Sequence, residues 1–176
     1  MISKEIEKML NAQVNAELWS AYLYLSMSFD AKHKGYSGAA HWFRVQSGEE
    51  VSHACIIQNY LDAQGCKVEL LPIDPVNNTW KSSLLMFEDA LKHEMMVSRM
   101  IHDIMTKAKE QRDYATQSFL NWFVDEQLEE ENECMKIVQQ FKNAADSKCA
   151  LNGVDKLLHK RNKEKVHHMR GENWIA

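Results

Sequence analysis

Turn-formers are scarce in this sequence. Its 176 residues include 6 glycines and 2 prolines, far too few for strands joined by a turn every ten residues or so. An all-β fold is excluded on that ground, and helices are the expectation. Long hydrophobic runs are missing too: no uninterrupted apolar stretch reaches membrane-spanning length, and the N-terminal MISKEIEKML is charged from Lys4 onward. Neither a transmembrane segment nor a secretion signal is visible, so a cytoplasmic location is expected. Cys55, Cys66, Cys134 and Cys149 form no C-x-x-C pair. Disulfides and zinc ribbons are therefore not expected, and reduced, mostly structural thiols are. No basic block occurs before the last seventeen residues and the formal net charge is −4, which argues against nucleic acid as the main partner and suits cations better.

What is present is apolar content, 45% of the chain, enough for one well-buried domain and too little length for two comfortable ones. Apolar or small residues recur at Ile2, Ile6, Leu10, Ala16, Ser20, Tyr24 and Met27, with Gln13 on the same face. That three-and-four spacing predicts a first helix over about 3–33. HKGYSG breaks it. A second helix is predicted over about 38–64, with Trp42, Phe43, Gln46, Ile57, Tyr60 and Leu61 inward and Gly65 as its C-terminal cap. An extended segment, CKVELLPIDPVNNTW, holds both prolines. A third helix follows over about 80–110 and, after EQRD, a fourth over about 113–144. Beyond the loop DSKCALNG a short fifth helix is expected in VDKLLHKRN, before a polar tail over 166–176.

Loop length sets the topology. Short connections between helices 1 and 2, and between 3 and 4, make antiparallel neighbours. The middle connection, some 15 residues long, spans roughly 45 Å when extended, about the length of a 28-residue helix. Helices 2 and 3 can then run parallel. The expected fold is all-α: a four-helix bundle with one long crossover between helices 2 and 3, plus the short fifth helix.

Several charged and polar residues lie on the inward stripes. At 100° per residue, Glu17 falls within about 20° of Ile6, Leu10 and Tyr24. Glu50 and His53 share the stripe of Trp42, Phe43 and Tyr60, Glu94 sits between Leu91 and Ile101, and Gln127 and Glu130 sit with Phe123, Cys134 and Ile137. Glu17 precedes Glu50, and Glu94 precedes Gln127, by the same 33 residues. A two-fold relation between the two hairpins would bring them all to one level. Buried carboxylates require positive charge, and no Lys or Arg occupies the stripes there. A metal site is inferred. Carboxylates with one imidazole and no thiolate suit hard or borderline cations such as iron or manganese, and the i, i+3 spacing of Glu50 and His53 allows chelation from adjacent turns. The donors exceed one ion's needs, so two metals bridged by Glu50 are expected.

Two features carry alternative readings. Tyr24, one heptad beyond Glu17, is either a core aromatic with its hydroxyl satisfied or an electron or proton donor beside the metals. The acidic run DEQLEEENE is either a solvated helix face or, through Glu126, Glu129 and Glu130 together with Glu49, a third cation site.

The set Glu17, Glu50-x-x-His53, Glu94, Gln127, with Tyr24 and with Glu49, Glu126, Glu129 and Glu130 beside it, resembles the ferroxidase centre and third iron site of the bacterial non-haem ferritins. The resemblance covers about residues 1–165, including helix order, crossover and fifth helix; it gives no role to the tail, where His167 and His168 stand as weak metal-binding candidates. It implies that Glu17, Glu50 and His53 hold a first iron, Glu50, Glu94 and Glu130 a second, and Glu49, Glu126, Glu129 and Glu130 a third. Bacterioferritins are also similar, but they repeat Glu-x-x-His on the fourth helix where this chain has Gln127-x-x-Glu130, and Val51 stands at the position of their haem-ligating Met. Haem is not expected. Rubrerythrins would add a four-cysteine iron domain, which has no counterpart here.

By the same resemblance the activity expected is ferroxidase: oxidation of Fe(II) by O2 or H2O2 at paired irons, with the Fe(III) stored as mineral inside a hollow shell of about 24 copies. The stretch LWSAYLYLSMSF, residues 18–29, is apolar around more of its circumference than one bundle core covers, which fits contact with other subunits. The alternative in another class is a di-iron oxidase or peroxidase that stores no mineral.

Overall fold

A computed structural model describes residues 2–161 of the chain. It contains five helices, α1 (Lys4–His33), α2 (Ser37–Ala63), α3 (Ser83–Glu110), α4 (Tyr114–Asn143) and α5 (Lys148–Leu158), and no strand among the described residues. None of these helices is long and apolar enough to cross a membrane.

Most helix starts are capped locally. The side chains of Ser3, Ser82, Asp113 and Ser147 accept from the backbone N–H three residues on, which satisfies one of the donors a helix start leaves open. The stops after α1, α2 and α3 share one geometry: Gly35, Gly65 and Arg112 have φ of 82°, 70° and 55°. The N–H that follows each then reaches back five residues, Tyr36 to Ala31, Cys66 to Leu61 and Asp113 to Ala108. Glycine takes this left-handed conformation without cost; Arg112 pays a small penalty for it.

The crossover is tied along the length of α1. Near its beginning, Asn11 donates to the Lys67 carbonyl at 3.1 Å and accepts from the Glu69 N–H at 2.7 Å. Near its end, Ser26 donates to the Asn77 carbonyl at 2.7 Å and Trp80 N–H donates to Asp30 at 2.9 Å. The segment therefore carries the chain from one end of the bundle to the other, and α2 and α3 run parallel, as their matching contacts show: Phe43 stacks on Phe87 with ring centroids 4.5 Å apart, while Glu50 meets Glu94 one level further along.

Two elements differ from the sequence-based expectation. Helix α3 begins at Ser83 because Trp80 is held in the crossover by Asp30 and by its indole N–H to Asp89, 2.8 Å. Helix α5 begins at Lys148 inside the supposed loop DSKCALNG, since Ser147 caps it and Leu151, Val154 and Leu158 supply an inward stripe. The polar tail, with His167 and His168, lies outside the described residues.

Two apolar clusters fill the bundle. One gathers Tyr24, Met27, Trp42, Phe43, Phe87 and Phe141; the other gathers Ile6, Leu10, Ile57, Leu61, Ile101 and Phe119. The polar inward residues occupy the level between them.

Helix α2 gets its N-terminal cap from far away. Tyr36 offers no side-chain cap, and Asp155 of α5 instead accepts from the N–H groups of Gly38 and Ala39, both at 2.9 Å. The approach is so close that a Cβ on residue 38 would stand 1.6 Å from the Asp155 carbonyl oxygen. Gly38→Ala is therefore expected to undock α5 at a cost of about 1–3 kcal/mol. Amide exchange should accelerate over 148–158 while the four long helices stay protected.

Candidate metal centre

Each long helix delivers side chains to the level between the two clusters. Glu17 and Tyr24 come from α1, Glu50 and His53 from α2, Glu94 from α3 and Gln127 and Glu130 from α4, and all are buried. Three sets have potential ligand atoms within 4.8 Å of one another: Glu17, Glu50 and His53; Glu50, Glu94 and Glu130; and His53, Glu126 and Glu130. Glu50 belongs to the first two and Glu130 to the last two, so the sets form one chain of adjoining positions joined by shared carboxylates.

Neutral donors hold these carboxylates in place. Gln13 donates to Glu17 at 2.9 Å, and Gln46 donates to both Glu50 (2.6 Å) and Glu130 (2.7 Å). Tyr24 donates its phenolic proton to Glu94, and the Gln127 amide reaches the same carboxylate at 3.2 Å. His53 lies edge-on to Trp122 and Phe123, with Nδ1 3.5 Å from Glu50 and Nε2 3.9 Å from Glu126. One oxygen each of Glu17 and Glu130 is buried with no hydrogen-bond partner among the described residues.

Burial dominates the electrostatics. It pushes the carboxyl of Glu17 up to about 8, with the neighbouring Glu50 adding to the shift. Glu50 is raised well above the usual carboxylate range by burial and then by Glu94; Glu130 is raised by burial and then by Glu50. Glu94 is also raised by burial, against the opposing hydrogen bonds of Tyr24 and Gln127. Among the described residues no Lys or Arg forms an ion pair with these four. A second buried imidazole, His93, is lowered by burial to about 4 and stays neutral against Ser20, 2.7 Å away. The counter-charge must then come from protons or from bound cations.

The donor set fits a cation. Orphaned, buried carboxylate oxygens on Glu17 and Glu130 cost free energy until something positive meets them. The oxygen donors and single imidazole are those of hard or borderline divalent and trivalent ions. Two other expected residues are placed differently. Glu49 is buried, but its carboxylate meets Arg161 at 2.6 Å, and Glu129 is exposed. The four-residue flank Glu49, Glu126, Glu129 and Glu130 is thus not gathered as one set, and His53 takes a place beside Glu126 and Glu130 instead.

Sequence reasoning placed Gln13 and Gln46 on inward faces without giving them a part in the site, and passed over Arg161. Gln46 stands four residues before Glu50 on the same inward stripe, as Gln13 does before Glu17, and a polar amide one turn from a buried carboxylate is a readable signal for a holder. Arg161 follows the last helix and has no such local signal.

These features define a helical bundle with a buried, carboxylate-rich cluster that could hold metal ions. The chain matches the family described as Ferritin-like domain over residues 7–144, and it belongs to that family. It is 41% identical over 147 residues to a bacterial non-heme ferritin of Bacteroides fragilis, covering 84% of this chain and 92% of the relative. It is 37% identical over 132 residues to a bacterial non-heme ferritin of Staphylococcus aureus, 75% of this chain and 80% of that one. An open pore ferritin from the hyperthermophilic archaeon Archaeoglobus fulgidus superposes with a TM-score of 0.90 at 38% identity, covering 92% of this chain and all of the other.

The raised carboxyls have a measurable consequence. For Glu17, the folded-state value of about 8 lies above its unfolded value near 4.5. The protonated form is favoured by folding, so its contribution to apo stability is complete below the unfolded value and is lost as pH rises through about 8. Metal-free protein should lose melting temperature between pH 6 and pH 8.5, Glu17→Gln should lose less, and Zn(II) added at pH 8.5 should restore it. A parental pH slope equal to that of Glu17→Gln would contradict the raised carboxyl.

Proposed function

We propose that this chain oxidises Fe(II) to Fe(III) at paired positions inside the bundle and stores the product as mineral within an assembly of its own copies. Membership of the ferritin family supports iron storage in general terms. The observation that carries the finer reading is Glu50, shared between the Glu17–His53 set and the Glu94–Glu130 set. A carboxylate common to two adjacent positions suits two ions held side by side.

Paired placement matters because an oxidant takes electrons in twos. Two Fe(II), each giving one electron, reduce O2 with two protons to H2O2, or H2O2 with two protons to two waters. Glu17, Glu50, Glu94 and Glu130 enter the metal-free state with raised proton affinity. Protons leave them as cations bind, and the resulting carboxylates favour the more highly charged Fe(III). Gln127 offers a neutral amide where a second strong carboxylate bridge would otherwise hold the product, which favours release. Tyr24, hydrogen-bonded to Glu94 and kept protonated by burial, is read as an electron or proton donor beside the paired positions. The acidic flank Glu49, Glu126, Glu129 and Glu130 is read as a third cation position.

Storage needs a container. Tyr22 and Phe29 on the outer face of α1 are 50% and 61% exposed in the single chain, an apolar face suited to contact with further copies. A closed shell of about 24 subunits is the assembly proposed, by likeness to the family. Aerobic Fe(II) addition, followed by sizing of the particle and its iron content, tests this reading against an oxidase that stores nothing: a small particle that turns over iron without retaining it would sink the storage assignment.

Substitutions test the centre and its flank. Glu50→Ala removes a ligand from both paired positions and should slow the fast phase of Fe(II) oxidation at least about tenfold, more than Glu17→Ala does, with the assembly intact; oxidation at the parental rate would refute the sharing of Glu50. The flank is probed by Glu49→Gln/Glu126→Gln. It should lower the irons oxidised per subunit in the fast phase from about three toward two and alter the oxygen consumed per iron. Stopped-flow absorbance with an oxygen electrode reads both, and unchanged stoichiometry would return the flank to a solvated helix face.

A further inference from the structure

Arg161 has no part in the reading above, yet its setting is specific. The residue lies three positions beyond the end of α5 and its side chain is 11% exposed. Its guanidinium stacks over Trp42, 4.2 Å from the ring centroid, donates to Glu49 Oε2 at 2.6 Å and stands 3.6 Å from Glu133 Oε2. Trp42 in turn donates its indole N–H to Glu133 at 3.1 Å, and the His41 ring N–H donates to the Arg161 carbonyl at 2.7 Å. The side chain therefore bridges α2 and α4 on the face that carries the acidic flank, since Glu133 lies one helical turn beyond Glu129.

We propose that Arg161 is a built-in counter-ion for the third cation position: it occupies Glu49 when the position is empty and must be displaced when a metal ion takes that carboxylate. The inference rests on the reading of Glu49 as a flank ligand. Two ions of like sign cannot share one buried carboxylate without mutual repulsion, so guanidinium and metal compete. The docked arginine is also suited to leaving. Its Nη1 is buried with no hydrogen-bond partner among the described residues, so the docked position carries an unsatisfied donor that release to water would satisfy.

Competition makes the coupling reciprocal: whatever fills the third position loosens the end of α5, and whatever loosens the end of α5 strengthens the third position. The affinity of the flank is thereby set below that of the paired positions by a residue 112 positions away from the ligand it holds. The flank fills last and empties first, and the point at which it fills is specified by the C-terminal segment and not by the flank carboxylates alone.

The test uses the assembled full-length protein without oxygen, so that binding is read apart from oxidation. Zn(II) is titrated calorimetrically into the parent and into Arg161→Gln. Removing the competing charge should tighten the weakest class of Zn(II) sites about tenfold while the tight classes stay unchanged, and adding Glu49→Gln to Arg161→Gln should abolish the gain. In the parent, which needs no substitution, amide exchange over 155–161 should rise only as the weakest class fills; in Arg161→Gln it should be raised before any metal is added. Equal affinity of the weakest class in both proteins, or weaker binding in Arg161→Gln, would overturn the competition, as would exchange over 155–161 that ignores Zn(II). Absence of Zn(II) binding in every class would instead sink the metal-centre reading itself, and this inference with it.

Discussion

Four carboxylates, Glu17, Glu50, Glu94 and Glu130, are buried at one level of the bundle, and among the described residues no lysine or arginine is paired to them. That is the constraint on which the rest of the structure depends. Carboxylates so placed repel one another unless protons or cations intervene, and burial raises the proton affinity of all four. The remainder of the fold has to hold this level together in both conditions. Apolar clusters on either side anchor the helices, and Gln13, Gln46, Gln127 and Tyr24 steer the carboxylates with neutral donors, which keeps the positions formed without filling them with charge.

The pairing of two helical hairpins places these groups economically. Each hairpin brings one of the four carboxylates from each of its helices to the level, and the crossover lets α2 and α3 run parallel. Its cost is a long irregular segment with many backbone groups to satisfy. Asn11, Ser26 and Asp30 on α1 meet several of them, so α1 acts both as a wall of the centre and as the track for the crossover.

Helix α5 plays a second structural part at the edge of the centre. Asp155 supplies the cap that α2 lacks and Arg161 meets Glu49 and Glu133, so the short helix is pinned to the two helices that carry the acidic flank. The acidic flank and the end of α5 are thereby in direct contact.

Much of this was legible in the sequence, because helical periodicity is local. The 3.6-residue repeat put Glu17 with Ile6 and Leu10, and Glu50 and His53 with Trp42, on single faces before any partner was known, and the equal spacing of Glu17 to Glu50 and of Glu94 to Gln127 implied a common level. The glycines at 35 and 65 marked the helix ends, and the long middle segment fixed parallel α2 and α3. The start of α5 was misplaced, because a capping serine in a polar stretch reads equally as loop until packing against the bundle decides it. Which carboxylate meets which partner was not local at all. The regrouping of His53 with Glu126 and Glu130, the exposure of Glu129, the hold of Gln46 on two helices and the capture of Glu49 by Arg161 depend on side chains from distant segments competing for the same few ångströms. Sequence alone determined that a buried layer of carboxylates would exist; only tertiary structure decided how its charges are shared, because electrostatic partners are chosen by distance in space and not by distance along the chain.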